Sequence, residues 1–203
     1  MTRVAALLAA GGGSRFLGPT HKLLAPLGNA TVWEQSLRRV VAAGFDHVVV
    51  VTGAVDLPHP EGVPSDDSMT TPVTPPVVTF RHNPDWALGQ AGSVRLAVAA
   101  ADELGADHVT IGLADQPFVT SDAWHAVAAA PDHCRIVVAT YDGRPGPNPV
   151  RLHRTVWPLL PRSGDAGARH LMTEHPSWVC RVACVGSSAD IDTLEDLDRW
   201  KSC

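Results

Sequence analysis

The chain has 203 residues, 45% hydrophobic and 18% charged, enough for one packed core and unlike a disordered chain. With Lys+Arg 16 against Asp+Glu 21 the formal net charge is −5, which disfavours a nucleic-acid binder; such proteins usually carry a basic face. No apolar run approaches the roughly 20 residues of a membrane span, so neither nucleic acid nor a membrane is an expected partner.

Val4–Ala9 is the first apolar run. It is short for a signal peptide and runs straight into glycines, so it reads as a buried first strand. Leu8-Ala9-Ala10-Gly11-Gly12-Gly13-Ser14-Arg15 follows. Small residues let backbone N–H groups approach an anion, and Arg15 with Lys22 adds positive charge, a combination suited to a polyphosphate. Lys22 stands out because the chain has only one other lysine, Lys201. The P-loop pattern fails, since Leu23 follows Lys22. The dinucleotide fingerprint fails at Phe16, and Glu34 falls inside a helix.

Thr31 and Glu34 form a capping box, with Trp33, Leu37, Val40 and Val41 at helical spacing and Gly44 at the stop. His47–Val51 is a second strand. Residues 54–76 are rich in proline and are expected to form a mobile loop inside a single domain spanning 1–203. Val77–Phe80 is a third strand. A helix from about Gln90 to Leu104 places Ala91, Val94, Val98 and Ala101 on one face.

His108–Leu113 is a fourth strand, and Asp115 lies just past its end. Ligands of open α/β sheets bind at carboxyl ends of strands, so this carboxylate is a candidate site residue. A third helix covers about Ser121 to Ala130, capped by Thr120 or Ser121, and Arg135–Thr140 is a fifth strand. The segment with Arg144, Arg151, Arg154, Arg162 and Arg169 begins as a Gly/Pro-rich loop and could grip an anionic acceptor; any single Arg there is otherwise a solvated surface residue. Asp190 and Asp192 precede a short helix, Leu194 to Trp200, with period-two spacing that suits either Mg²⁺ ligation or capping. Cys134, Cys180, Cys184 and Cys203 have no zinc spacing, and Cys180 with Cys184 is unsuited to a disulfide. Reduced thiols in a cytoplasmic protein are expected. The continuous apolar strands and the order β-α-β-β-α-β-α-β predict an α/β fold with a mostly parallel sheet.

Taken together, the Gly-rich loop with Lys22, Asn83-x-x-Trp86-x-x-Gly89-x-x-x-Ser93, Ala114-Asp115-Gln116-Pro117, Gly164-Asp165-Ala166-Gly167-Ala168-Arg169 and Asp190-Ile191-Asp192-Thr193-x-Glu195-Asp196-Leu197 resemble the MobA-like nucleotidyltransferases. Ala9-Ala10-Gly11 and His21-Lys22-Leu23-Leu24 look most like the molybdenum cofactor cytidylyltransferase (MocA-like) branch. The departures are Phe16-Leu17 where the family has a single Met, and Asn148 in a loop that usually carries a His.

The resemblance implies a Rossmann-like, three-layer α/β/α nucleotidyltransferase fold. It implies transfer of a nucleoside monophosphate from an NTP, CTP favoured over GTP, to the phosphate of a phosphorylated pterin, with Mg²⁺ as cofactor. A molybdoenzyme would receive the product. Arg15, Lys22 and Asp115 are the expected catalytic residues. Leu8 to Arg15, Lys22, Asn83, Asp85, Gly89 and Ser93 are expected around the nucleotide, and Asp115, Asp190 and Asp192 around the metal. Asn148, Arg151, Asp165 and Arg169 are candidates for the acceptor. The alternatives are transfer to another small phosphate, and a non-catalytic maturation partner of a molybdoenzyme.

Overall fold

The structure, a computed structural model, describes residues 2–59 and 76–201. Most of the Pro-rich segment expected to be a mobile loop therefore lies outside the described residues. The part that is described is not simply exposed, since Val55 and Leu57 pack on the core.

In chain order the elements are β1 (Val4–Ala9), β2 (Pro26–Leu27), β3 (Ala30–Thr31), α1 (Val32–Val41), β4 (His47–Thr52), β5 (Val77–His82), α2 (Gln90–Glu103), β6 (His108–Leu113), α3 (Ser121–Ala128), β7 (Ile136–Tyr141), β8 (Arg144–His153), α4 (Arg169–Glu174), β9 (Val179–Ala183) and α5 (Leu194–Lys201). One sheet runs β5-β4-β1-β6-β8-β7-β9, and β2 pairs with β3 in a small hairpin. β5, β4, β1 and β6 are mutually parallel, as are β7 and β9. β8 is antiparallel to both its neighbours.

Helices cover both faces. Val48 and Val50 of β4 join Trp33 and Leu37 of α1, Trp124 of α3 and Leu197 of α5 in one apolar layer. The intervening Val49 and Val51 join Val94, Ala97 and Val98 of α2 and Leu171 of α4 in the other. Alternate side chains of one strand thus enter two cores, which is why the run is continuously apolar rather than alternating. The capping box at Thr31 is present, with the Thr31 N–H donating to Glu34 Oε2 at 2.7 Å.

Two expectations fail here. The Gly/Pro-rich stretch beginning at Arg144 is a strand, not a loop. Its prolines are tolerated because β6 pairs only with Val150–His153, so the proline-bearing half leaves one edge free. The cysteines are not all reduced, since Cys134 and Cys180 form a disulfide with a Cα–Cα distance of 5.8 Å across a separation of 46 residues. The pairing of β9 with β7 brings them together, because Val137 sits opposite Cys180 and Cys134 lies just upstream in the chain. Cys184 is free. No described helix is long and apolar enough to cross a membrane.

Candidate functional site

The carboxyl ends of β1, β4 and β6 open on one edge of the sheet, and the Gly-rich loop leaves β1 there. Gly13 adopts φ +60, a conformation that suits glycine. Gly12 has a different reason, because a Cβ at that position would stand 2.8 Å from the Trp86 ring. His21 pins the loop from the other side. Its Nδ1 accepts the Leu23 N–H at 3.3 Å, so the neutral ring carries its proton on Nε2 and donates it to the Gly11 carbonyl at 3.0 Å. Burial, with the Lys22 charge adding, lowers the His21 pKa and favours that neutral form.

Lys22 is the centre of the site. Its Nζ donates to Asp115 Oδ2 at 2.6 Å and to Asp192 Oδ1 at 2.7 Å, with only 10% of the side chain exposed. Burial works against the ammonium charge, but the two carboxylates outweigh it and raise the pKa, so Lys22 stays charged. The exposed Arg15 reaches Asp192 Oδ2 at 2.9 Å.

Backbone ties hold the carboxylates in place. The Ala114 N–H donates to the Leu8 carbonyl, and Ser36 Oγ of α1 donates to the Ala114 carbonyl at 2.8 Å. The Ile191 N–H donates to the Asp115 carbonyl at 2.9 Å and joins the two acidic loops. Asp196 then accepts from the Asp192 and Thr193 N–H groups, which fixes the turn carrying Asp192.

This cluster carries more negative than positive charge. Asp190 has its pKa raised by burial, then by Asp115 and Asp192 nearby. Asp115 Oδ1 is buried without a hydrogen-bond partner. An orphaned carboxylate oxygen among crowded carboxylates suits a hard divalent cation, which prefers oxygen ligands.

Above the cluster lies a cavity of about 480 Å³ lined by Gly11, Gly12, Trp86, Gln90, Ser93 and Asp115, among others. A second cavity, of about 150 Å³, adjoins it through Gln90 and Leu113 and is lined by Gln116, Asn148, Arg169 and Asp190.

The MobA-like NTP transferase domain model matches residues 5–178. The chain belongs to that family. It is 31% identical over 198 residues to the purine catabolism protein PucB of Bacillus subtilis, covering 93% of this chain and 91% of PucB. Among solved structures, Rv0371c from Mycobacterium tuberculosis superposes with a TM-score of 0.77 at 26% identity, covering all of both chains. A manganese complex of that protein superposes with a TM-score of 0.72 at 23% identity, covering 100% and 99%. A nucleotidyl transferase from Methanothermobacter thermautotrophicus gives 0.73 at 22% identity, covering 99% and 96%. The fold is thus the Rossmann-like one of nucleotidyltransferases, and the chain is a nucleotidyltransferase-family protein.

Within this MobA-like domain the expected site residues fall in several places. Arg151 is not beside the acceptor residues. It is 2% exposed and sits beside Thr110 on the neighbouring strand β6, with its guanidinium bound to carbonyls at the end of α3. Asn83 is buried and spends its amide on Ser93 Oγ at 3.0 Å and on the Asp85 N–H, so it braces the Trp86 turn rather than facing the larger cavity. Asp85 is exposed and lines a neighbouring surface cavity instead. Asp165 accepts from the Gln90 N–H at 3.0 Å, which caps α2, and it also lines the larger cavity. Asp190 meets Gln116 Nε2 at 2.6 Å and does not contact Lys22 directly.

Sequence reasoning did not single out His21, Trp86, Gln90 or Gln116 as site residues. Trp86 and Gln116 stood inside quoted motifs, so a signal existed. Gln116 Oε1 is a second buried atom without a partner. The contact of His21 with Gly11 spans ten residues of loop and has no spacing rule.

Proposed function

We propose that this protein transfers a nucleoside monophosphate from a nucleoside triphosphate, with CTP the favoured donor, to the phosphate of a molybdopterin-type acceptor, releasing pyrophosphate. The observation that carries the transfer chemistry is Lys22, held between Asp115 and Asp192 directly beneath the Gly-rich loop. The cytidylyl preference and the pterin acceptor rest on the resemblance of the Ala9-Ala10-Gly11 and His21-Lys22-Leu23-Leu24 segments to the MocA-like branch.

The triphosphate lies across the loop, with its charge met by backbone N–H groups, Lys22 and Arg15. Asp115 with Asp192 or Asp190 would hold a Mg²⁺ ion, which would supply neutralisation of the triphosphate's charge. A phosphate oxygen of the acceptor forms a bond to the α-phosphorus, and the bond from that phosphorus to the bridging oxygen breaks. The electron pair leaves with pyrophosphate. The nucleophile is already anionic, so no general base is needed, and catalysis is positioning and electrostatics. The smaller adjoining cavity, with Arg169 and Asn148, is where the acceptor phosphate is placed.

Thermal denaturation with CTP or GTP, each with and without Mg²⁺, tests the donor. A ligand at about 100 times its Kd adds about 2.7 kcal/mol. Mg²⁺-dependent stabilisation by CTP alone is expected. Stabilisation by GTP alone overturns the cytidylyl preference. Pyrophosphate release that depends on added molybdopterin tests the acceptor, and release with other small phosphates but not with it overturns that assignment.

A further inference from the structure

At the edge of the sheet opposite Asp115, where β1 and β6 begin, a cavity of about 300 Å³ opens beside the last turn of α3. Arg3, Phe45, His108, His125, Asp132 and Arg151 line it. Arg151 reaches it from β8. Its Nη1 donates to the Ala128 and Ala130 carbonyls at 3.0 and 2.5 Å, and Nη2 donates to the Pro131 carbonyl at 2.8 Å. These are dipolar partners at a helix C-terminus, not a full counter-charge. The carboxylate whose charge reaches this guanidinium is Asp132, which makes no hydrogen bond to it. Its Nε is buried without a partner, and so is Nε2 of His108. A buried cation and a buried ring nitrogen, both unsatisfied and lining one cavity, are costly unless something occupies it.

We infer that this cavity binds a small oxyanion, a phosphate or a carboxylate, through the Nε–H of Arg151 and the Nε2–H of His108. The edge of a guanidinium presents parallel N–H groups that match two oxygens on one centre. Burial, then the charge of Arg151 and the neighbouring His153, pulls the His108 pKa down to about 4, so the ring is neutral near pH 7 and offers one donor. Arg3 adds positive charge at the rim, where its Nη2 lies 3.5 Å from His125 Nδ1 and its Nη1 donates to the Gly44 carbonyl. Asp132 is the opposing group. It is 76% exposed, and its Oδ1 stands 4.0 Å from His108 Nε2, so a bound anion displaces it outward. The site is independent of the nucleotidyl-transfer reading.

The test uses the full chain labelled with ¹⁵N in the histidine rings, with His108→Gln to assign the signal. Inorganic phosphate and acetate are titrated separately, with ionic strength held constant by chloride. A saturable shift of the His108 ring signal with phosphate, acetate or both is expected, and the pattern tells a phosphate ligand from a carboxylate. Arg151→Lys keeps the charge but loses the planar fork, and weakens that binding about tenfold. Asp132→Asn removes the competing carboxylate from an exposed position, and tightens binding about threefold. No saturable shift with either anion overturns the inference, as does a shift whose affinity is unchanged in Arg151→Lys. Should Arg151→Lys fail to fold, Asp132→Asn decides, and unchanged or weakened binding there overturns it.

Discussion

Two edges of one sheet each bury a cation, and they do so in opposite ways. At the carboxyl edge Lys22 is held by Asp115 and Asp192, side chains from separate loops. At the amino edge Arg151 is held by three backbone carbonyls at the end of a helix. Of the carboxylates around Lys22, Asp115 has a spare oxygen and can be shared with another cation or yield the lysine to a phosphate. The carbonyls around Arg151 are fixed by the fold. A buried cation between side-chain carboxylates is suited to chemistry, and one ringed by backbone carbonyls also ties elements together.

Substituting Asp115→Ala and Arg151→Met separates the two edges most sharply. Asp115→Ala is expected to lower turnover about a thousandfold by removing both a partner of Lys22 and the orphaned oxygen, on the scale of losing a preorganised electrostatic contact. Its circular dichroism should match wild type. Arg151→Met is expected to cost about 3 kcal/mol in urea unfolding, because charged hydrogen bonds to three carbonyls are lost at once, while kcat of the folded fraction stays within about twofold. A fall in kcat with stability intact in Arg151→Met would break the contrast.

The contrast also shows what the sequence can and cannot reveal. The parallel half of the sheet was legible because β1, β4 and β6 are buried on both faces and so are apolar without interruption. Asp115 was legible because its position just past a strand end is a local feature. β8 was not, because proline and glycine normally mark loops and only its pairing with β7 makes the segment a strand. That same misreading put Arg151 in an acceptor-binding loop, when the antiparallel direction of β8 carries it to the far edge. The Cys134–Cys180 bond escaped for a related reason, since it depends on β9 lying beside β7. Lys22 was notable by rarity, but its two carboxylate partners are 93 and 170 residues away in sequence.

Acid titration sharpens the amino-edge side of the comparison. The His108 pKa is lowered from 6.5 to about 4 by burial, then by Arg151. Above pH 6.5 the ring is neutral in both folded and unfolded chains and costs nothing. As pH falls toward 4 the unfolded chain takes up the proton and the folded one does not, so stability is lost across that window. The loss from this group is at most about 3 kcal/mol. Urea midpoints of wild type and His108→Gln between pH 7 and 4 should therefore diverge, with the wild type falling further. Parallel curves would mean that His108 is not held neutral by its surroundings.

The smallest effect is expected at Arg15, which tests whether the charges at the carboxyl edge serve stability or the substrate. Its guanidinium meets Asp192 at 2.9 Å, but its side chain is 76% exposed. An exposed pair of this kind is worth about 0–1 kcal/mol and is screened by salt, so Arg15→Ala should leave the urea midpoint almost unchanged. If Arg15 instead serves the triphosphate, its loss should raise KM for the nucleotide about tenfold at low salt and leave kcat nearly intact, a loss of uniform binding. The gap between wild type and variant should narrow as salt screens the exposed charge. A fall in kcat at unchanged KM would instead make Arg15 a group that acts only as the bond to the α-phosphorus is exchanged.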